Sequence, residues 1–62
     1  MKHWISCVKF TVEVETDARD KIIHAAPIVR KFQGQSLGNL LAWARKLGGL
    51  QHAVMIDERD DM

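Results

Sequence analysis

His3, Cys7, His24 and His52 are the side chains of this 62-residue chain whose types could bind a metal or drive nucleophilic chemistry. Zinc ligands must converge to about 2.0 to 2.3 Å from one ion. His3 and Cys7 share a face of an extended segment but lie roughly 13 Å apart by strand rise. The chain has no C-x-x-C knuckle, so local spacing supports neither a metal nor any other cofactor. A cysteine nucleophile would need Cys7 beside a histidine, and strand alternation sets Cys7 on the face opposite His24. Asp17 and Asp20 could act as paired carboxylates, but they fall on an expected hairpin tip with no pocket to raise a carboxyl pKa. The reading is therefore non-enzymatic.

Lys9, Arg30, Lys31, Arg45 and Lys46 form a second set, able to contact nucleic acid. Phosphate recognition needs clustered cations, and its salt dependence scales with their number. Arg30-Lys31 and Arg45-Lys46 are expected near one end of the fold. The formal net charge of +1 conceals an asymmetry: residues 1–56 carry +4 and residues 57–62 carry −3. Trp4 and Trp43 could stack on bases, although their spacings equally suit a core or its margin. No RNP, KH, zinc-finger or helix-turn-helix signature accompanies them. Nucleic-acid binding through this patch is the alternative to a protein-binding role.

The elements that position these residues read as follows. From Trp4 to Val14 the even positions are Trp4, Ser6, Val8, Phe10, Val12 and Val14, an alternation with β-branched and aromatic residues that predicts one long strand. Asp17-Ala18-Arg19-Asp20 supplies a turn. A second strand is expected from Lys21 to Phe32. Setting Glu15 against Lys21 pairs Val14 with Ile22, Val12 with His24, Phe10 with Ala26, Val8 with Ile28 and Trp4 with Phe32. A register two residues different keeps the faces and changes the partners. Pro27 cannot donate to a ladder, so strand two is an edge or is bulged there, and any third strand adds beside strand one.

Gln33-Gly34-Gln35 turns the chain, and Ser36 is a suitable N-cap for a helix from Leu37 to Leu47. Leu37, Leu40, Leu41, Ala44 and Leu47 form its apolar stripe, with Trp43 at the flank. Arg45 and Lys46 suit the last turn, and Gly48-Gly49 provides a left-handed stop. Leu50 to Ile56 alternates weakly and is either a third short strand or an unstructured end. The fold class is α+β: a β-hairpin packed against one amphipathic helix, with a possible third strand. A single domain spans 1–56, and 57–62 is an acidic tail with the composition of a disordered terminus.

A strand from Trp4 to Val14 would span roughly 36 Å, whereas a helix from Ser36 to Leu47 spans about 18 Å. One helix cannot cover such a hairpin. Its other face would carry Ile5, Cys7, Ile23, Ala25, Pro27 and Val29, which makes these the candidate protein interface. A homodimer resolves the mismatch; the alternative is a monomer in which residues 50–56 fold back onto the sheet. A domain this small buries only about 60% of its unfolded surface, and the single cysteine excludes an internal disulfide. No apolar run approaches the roughly 18 residues that cross a bilayer, and the N-terminal residues do not form a secretory signal. A cytoplasmic location is expected.

The run Val14-Glu15-Thr16-Asp17, then Ala25-Ala26-Pro27-Ile28-Val29-Arg30-Lys31-Phe32 and Gly34-Gln35 before a Leu/Trp-rich helix, resembles short uncharacterised bacterial and prophage-type proteins. The likeness covers about residues 7–48. It implies a hairpin, a G-Q turn and a helix, and an accessory protein that binds a host protein or nucleic acid. In that pattern the hairpin turn often ends in glycine, where this chain has Asp20.

Overall fold

The computed structural model describes residues 1–55. Their elements are β1 (Lys2–Ser6), β2 (Thr11–Thr16), β3 (Ile22–Ala25), a 3-10 helix (Pro27–Phe32), α1 (Leu37–Leu47) and β4 (Gln51–Met55). The strands form one antiparallel sheet in the order β3-β2-β1-β4. This is the expected small α+β fold. The segment after the helix is a strand, and it adds beside β1. Ile56 and the acidic residues 57–62 lie outside the described residues.

The long first strand is not formed. Cys7 N–H donates to the Phe10 carbonyl at 2.8 Å, and Val8 N–H donates to the Gly48 carbonyl at 3.0 Å, so residues 7–10 turn the chain back. The physical reason is length. Folding 36 Å of strand in two gives arms of five and six residues, roughly 17–20 Å, which α1 can cover. Ile5 then pairs with Val12 and His3 with Val14, so odd residues of β1 share a side with even residues of β2. Trp4 and Val8, expected to face inward, are 45% and 72% exposed.

The second strand is also shorter than expected. Its register is Val14 with Ala25, Glu15 with His24 and Thr16 with Ile22, and a bulge absorbs Ile23. Pro27 does not sit in the ladder; it opens the 3-10 helix, where its missing N–H costs nothing and its fixed φ suits the first turn. The chain thereby leaves the sheet for the helical layer at Ala25, seven residues earlier than the alternation suggested.

The turn between β2 and β3 forms as its aspartates predict. Asp17 Oδ1 accepts from the Arg19 and Lys21 amides, both at 2.9 Å. Asp20 adopts φ 63°, left-handed backbone that Asp tolerates better than most residues. Helix α1 spans the expected residues and stops at Gly48, φ 92°. Ser36 holds extended N-cap geometry but makes no side-chain capping bond.

The core lies between the sheet and the helical layer. Ile5, Val12, Val14, Ile22, Val29, Phe32, Leu37 and Leu40 form it, with Leu41, Trp43, Phe10, Ala25, Ala26 and Leu50 packed at its margin. Strand β4 contributes no buried side chain.

Candidate interaction surface

The candidate interface residues do not form one surface. Ile5 and Val29 are fully buried core residues. Ile5 is inward because the Cys7–Phe10 turn reverses the phase, and Val29 is inward because the 3-10 helix packs it onto the sheet. Ala25 lies opposite Val14 on the core side of the sheet and packs against the core. Cys7 is half-buried in the turn; Ile23 and Pro27 are exposed, one at the bulge and one at the start of the 3-10 helix. His24, expected to face the helix, is exposed opposite Glu15.

The edges of the sheet differ. Beside β3, Ile22 N–H donates to the Gln35 carbonyl at 2.8 Å, Gly34 N–H donates to the Ile22 carbonyl at 2.7 Å, and Lys21 bridges Ser36. That edge is partly closed by its own chain. Beside β4, no further strand pairs among the described residues. Its sequence, Gln51-His52-Ala53-Val54-Met55, contains no lysine, no other charged residue and no proline, the features that protect natural edges. Val54 lies opposite His3 on the core side of the sheet yet is 50% exposed, because the helical layer stops short of β4. On the other face Trp4, Ser6, Thr11, Gln51 and Ala53 line a shallow depression along β1 and β4.

The fold also builds a polar chain that local spacing does not reveal. His3 is 3% exposed; its Nε2 lies 2.8 Å from Thr16 Oγ1 and its Nδ1 lies 2.9 Å from His52 Nε2. Thr16 Oγ1 donates to the Met1 carbonyl at 3.4 Å. With that polarity His3 Nε2–H donates to Thr16, and His3 Nδ1 accepts from His52 Nε2–H. Each gap holds one proton, so a second charge on the pair would set N–H against N–H. Burial first, then the neighbouring His52, hold the His3 pKa below its ordinary value, and Asp20 opposes them. Thr16 Oγ1 is buried, so the chain is a structural network and presents no nucleophile to solvent. Among the described residues no three His, Cys, Asp or Glu side chains are grouped to hold a metal ion.

Lys9, Arg30, Lys31, Arg45 and Lys46 are all exposed. Their surroundings connect: Phe10, next to Lys9, stacks on Trp43 at 5.6 Å, and Lys31 Nζ lies 4.4 Å from the Trp43 ring centroid. The Val8 bond to Gly48 draws the same turn to the end of α1 that carries Arg45 and Lys46. The four described acids, Glu13, Glu15, Asp17 and Asp20, lie in β2 and the β2–β3 turn; the basic elements contain none. Trp43 also packs on Phe32 at 5.2 Å. Phe10, Phe32 and Lys31 occupy its surroundings, which makes it a core-margin residue and leaves Trp4 as the more exposed tryptophan.

Comparison with protein-family models, curated proteins and solved structures finds no match to this chain. Among the described residues no helix is long and apolar enough to cross a membrane.

Proposed function

We propose that this chain is a non-enzymatic binding module that accepts an extended polypeptide segment along the outer edge of β4. The observation that carries the reading is the uncharged edge strand, which has no further strand beside it among the described residues, with a half-exposed valine on its core side. An added strand gains main-chain hydrogen bonds from the edge, and its alternate side chains extend the two faces of the sheet. Val54 offers one apolar contact; the Trp4 depression offers another on the opposite face. A six-residue peptide alternating valine and threonine tests the mode. It is expected to shift the backbone amide resonances of Gln51–Met55, and the same peptide N-methylated at alternate residues on its pairing edge is expected not to. Equal shifts from both peptides, or shifts confined to β3, would exclude edge pairing.

A second reading, nucleic-acid binding, is favoured by the gathering of five exposed cations at elements that carry no described acid. It expects retention on immobilised DNA or RNA that falls steeply with salt and disappears when Lys31 and Arg45 are reversed to glutamate. A salt-insensitive signal would remove it.

A further inference from the structure

The open edge and the uneven charge of the chain together point to one occupant, an inference that rests on the edge-binding reading above. We propose that the segment seated on β4 is β4 of a second copy, paired antiparallel about a two-fold axis at Ala53. In this arrangement the Met55 end of each β4, from which an acidic sequence continues, lies beside the basic end of the other copy.

The strand is suited to pair with itself. Residues 51–55 contain no acidic or basic side chain apart from His52, so antiparallel self-pairing sets no fixed like charges opposite each other. With the axis at Ala53, His52 faces the partner's Val54, and Gln51 faces the partner's Met55. Val54, already opposite His3 across β1, then has a neighbour on both sides. The contact is isologous and closed, the arrangement that dimers most often adopt, and it joins the two sheets edge to edge.

Charge decides the orientation. The basic elements lie at the end of the sheet where Ser6 meets Gln51, next to the Cys7–Phe10 turn and Gly48. Met55 lies at the opposite end, beside Lys2, whose partner on β2 is Glu15. The sequence beyond Met55 carries Asp57, Glu58, Asp60 and Asp61 against Arg59. Each β4 thus leads toward acids at the end that already holds Glu15, Asp17 and Asp20. Within one copy, Gly49 and Met55 are separated by roughly 20 Å at about 3.4 Å per residue, more than two Debye lengths of about 8 Å at physiological salt. An antiparallel second copy reverses that order. With Met55 opposite the partner's Gln51, the end of each β4 from which the acidic sequence continues lies next to the partner's Gly48 and the end of the helix that carries Arg45 and Lys46. The two-fold axis makes this juxtaposition twice.

Sedimentation equilibrium of the full chain across concentration, at low and high salt, tests the proposal. The wild type is expected to dimerise more tightly at low salt, and Val54→Lys is expected to remain monomeric at the same concentrations. Arg45→Glu with Lys46→Glu is expected to weaken the dimer roughly tenfold, the scale of several screened ion pairs acting together. Asp57→Lys with Glu58→Lys is expected to do the same, and all four changes on one chain are expected to restore it. Ala53→Cys in a Cys7→Ser background is expected to crosslink two copies on mild oxidation. A wild type that is monomeric at every concentration, or a dimer indifferent to Val54→Lys, would overturn the proposal. So would a four-site reversal no tighter than either pair alone. If the chain is monomeric and the valine–threonine peptide still shifts β4, the second copy is excluded and the edge reading stands; if neither binds, both fall.

Discussion

His52 Nε2 lies 2.9 Å from His3 Nδ1, tying the edge strand β4 to the buried network of β1 and β2. Because burial and His52 lower the His3 pKa from 6.5, the unfolded chain binds that proton first. The contribution of neutral His3 is fully present above 6.5 and is lost as pH falls through 6.5 toward the folded value. The melting temperature is therefore expected to fall from about pH 7 to about pH 5, and His3→Gln is expected to flatten that slope. An unchanged slope in the variant would show that His3 is not its source.

Ile5 and Ile23 distinguish the observed phase of the sheet from the one that simple alternation suggests. Ile5 is fully buried and Ile23 is 40% exposed. Ile5→Ala is expected to cost about 2–5 kcal/mol, and Ile23→Ala about 0.5 kcal/mol. Total stability for a chain of this length is about 3–9 kcal/mol by the usual per-residue range, so Ile5→Ala should leave much of the protein unfolded in a urea titration. Equal effects would refute the assignment of faces.

Asp17 should support the hairpin only while ionised. The Lys21 amide and then the Arg19 amide, both donating to its carboxylate, hold its pKa below 3.8. A depressed carboxyl pKa contributes stability above the unfolded value that is lost as pH falls through the folded one. Asp17→Asn is thus expected to destabilise the protein at neutral pH, with the gap from wild type closing in acid. Thermal melts along a pH series read this directly.

Two glycines should respond in opposite directions to alanine. Gly49 has φ 68°, and an added Cβ would lie 3.1 Å from Val8 Cγ2, so Gly49→Ala combines backbone strain with a close contact at the β1–β2 turn. It is expected to cost about 1–2 kcal/mol. Gly38 lies in the first turn of α1, where an added Cβ meets only Ser36 Oγ at 3.8 Å. Gly38→Ala is expected to stabilise by about 0.5–1 kcal/mol. Chemical denaturation of the pair checks both signs.

Much of the fold is legible in local chemistry. Ser36, the stripe from Leu37 to Leu47 and Gly48 define α1, and Asp17 to Asp20 define the β2–β3 turn, because propensity, period and capping agree within a few residues. The last strand does add beside the first, but Pro27 is not the reason, since it lies outside the ladder in the 3-10 helix and the β3 edge is partly closed by Gly34, Gln35 and Ser36. The Cys7–Phe10 turn carries no such signal: Val8 and Phe10 continue the alternation of a strand. What reverses the chain there is the limited length of α1 and the bond from Val8 to Gly48, forty residues later. The candidate interface failed at Ile5 because that undetected turn changes which side of the sheet it faces, and at Val29 because the expected strand gives way there to a 3-10 helix that packs it onto the core.

The sequence by itself determined the helix, the aspartate turn, the small α+β class and the opposition between a basic body and an acidic end, because each depends on residue type or local spacing. Only the tertiary structure decided the order β3-β2-β1-β4, the meeting of His3 with His52 and the place of β4 at the end of that order. Those depend on which distant segments bury one another's apolar faces, and that competition is settled across the whole chain at once.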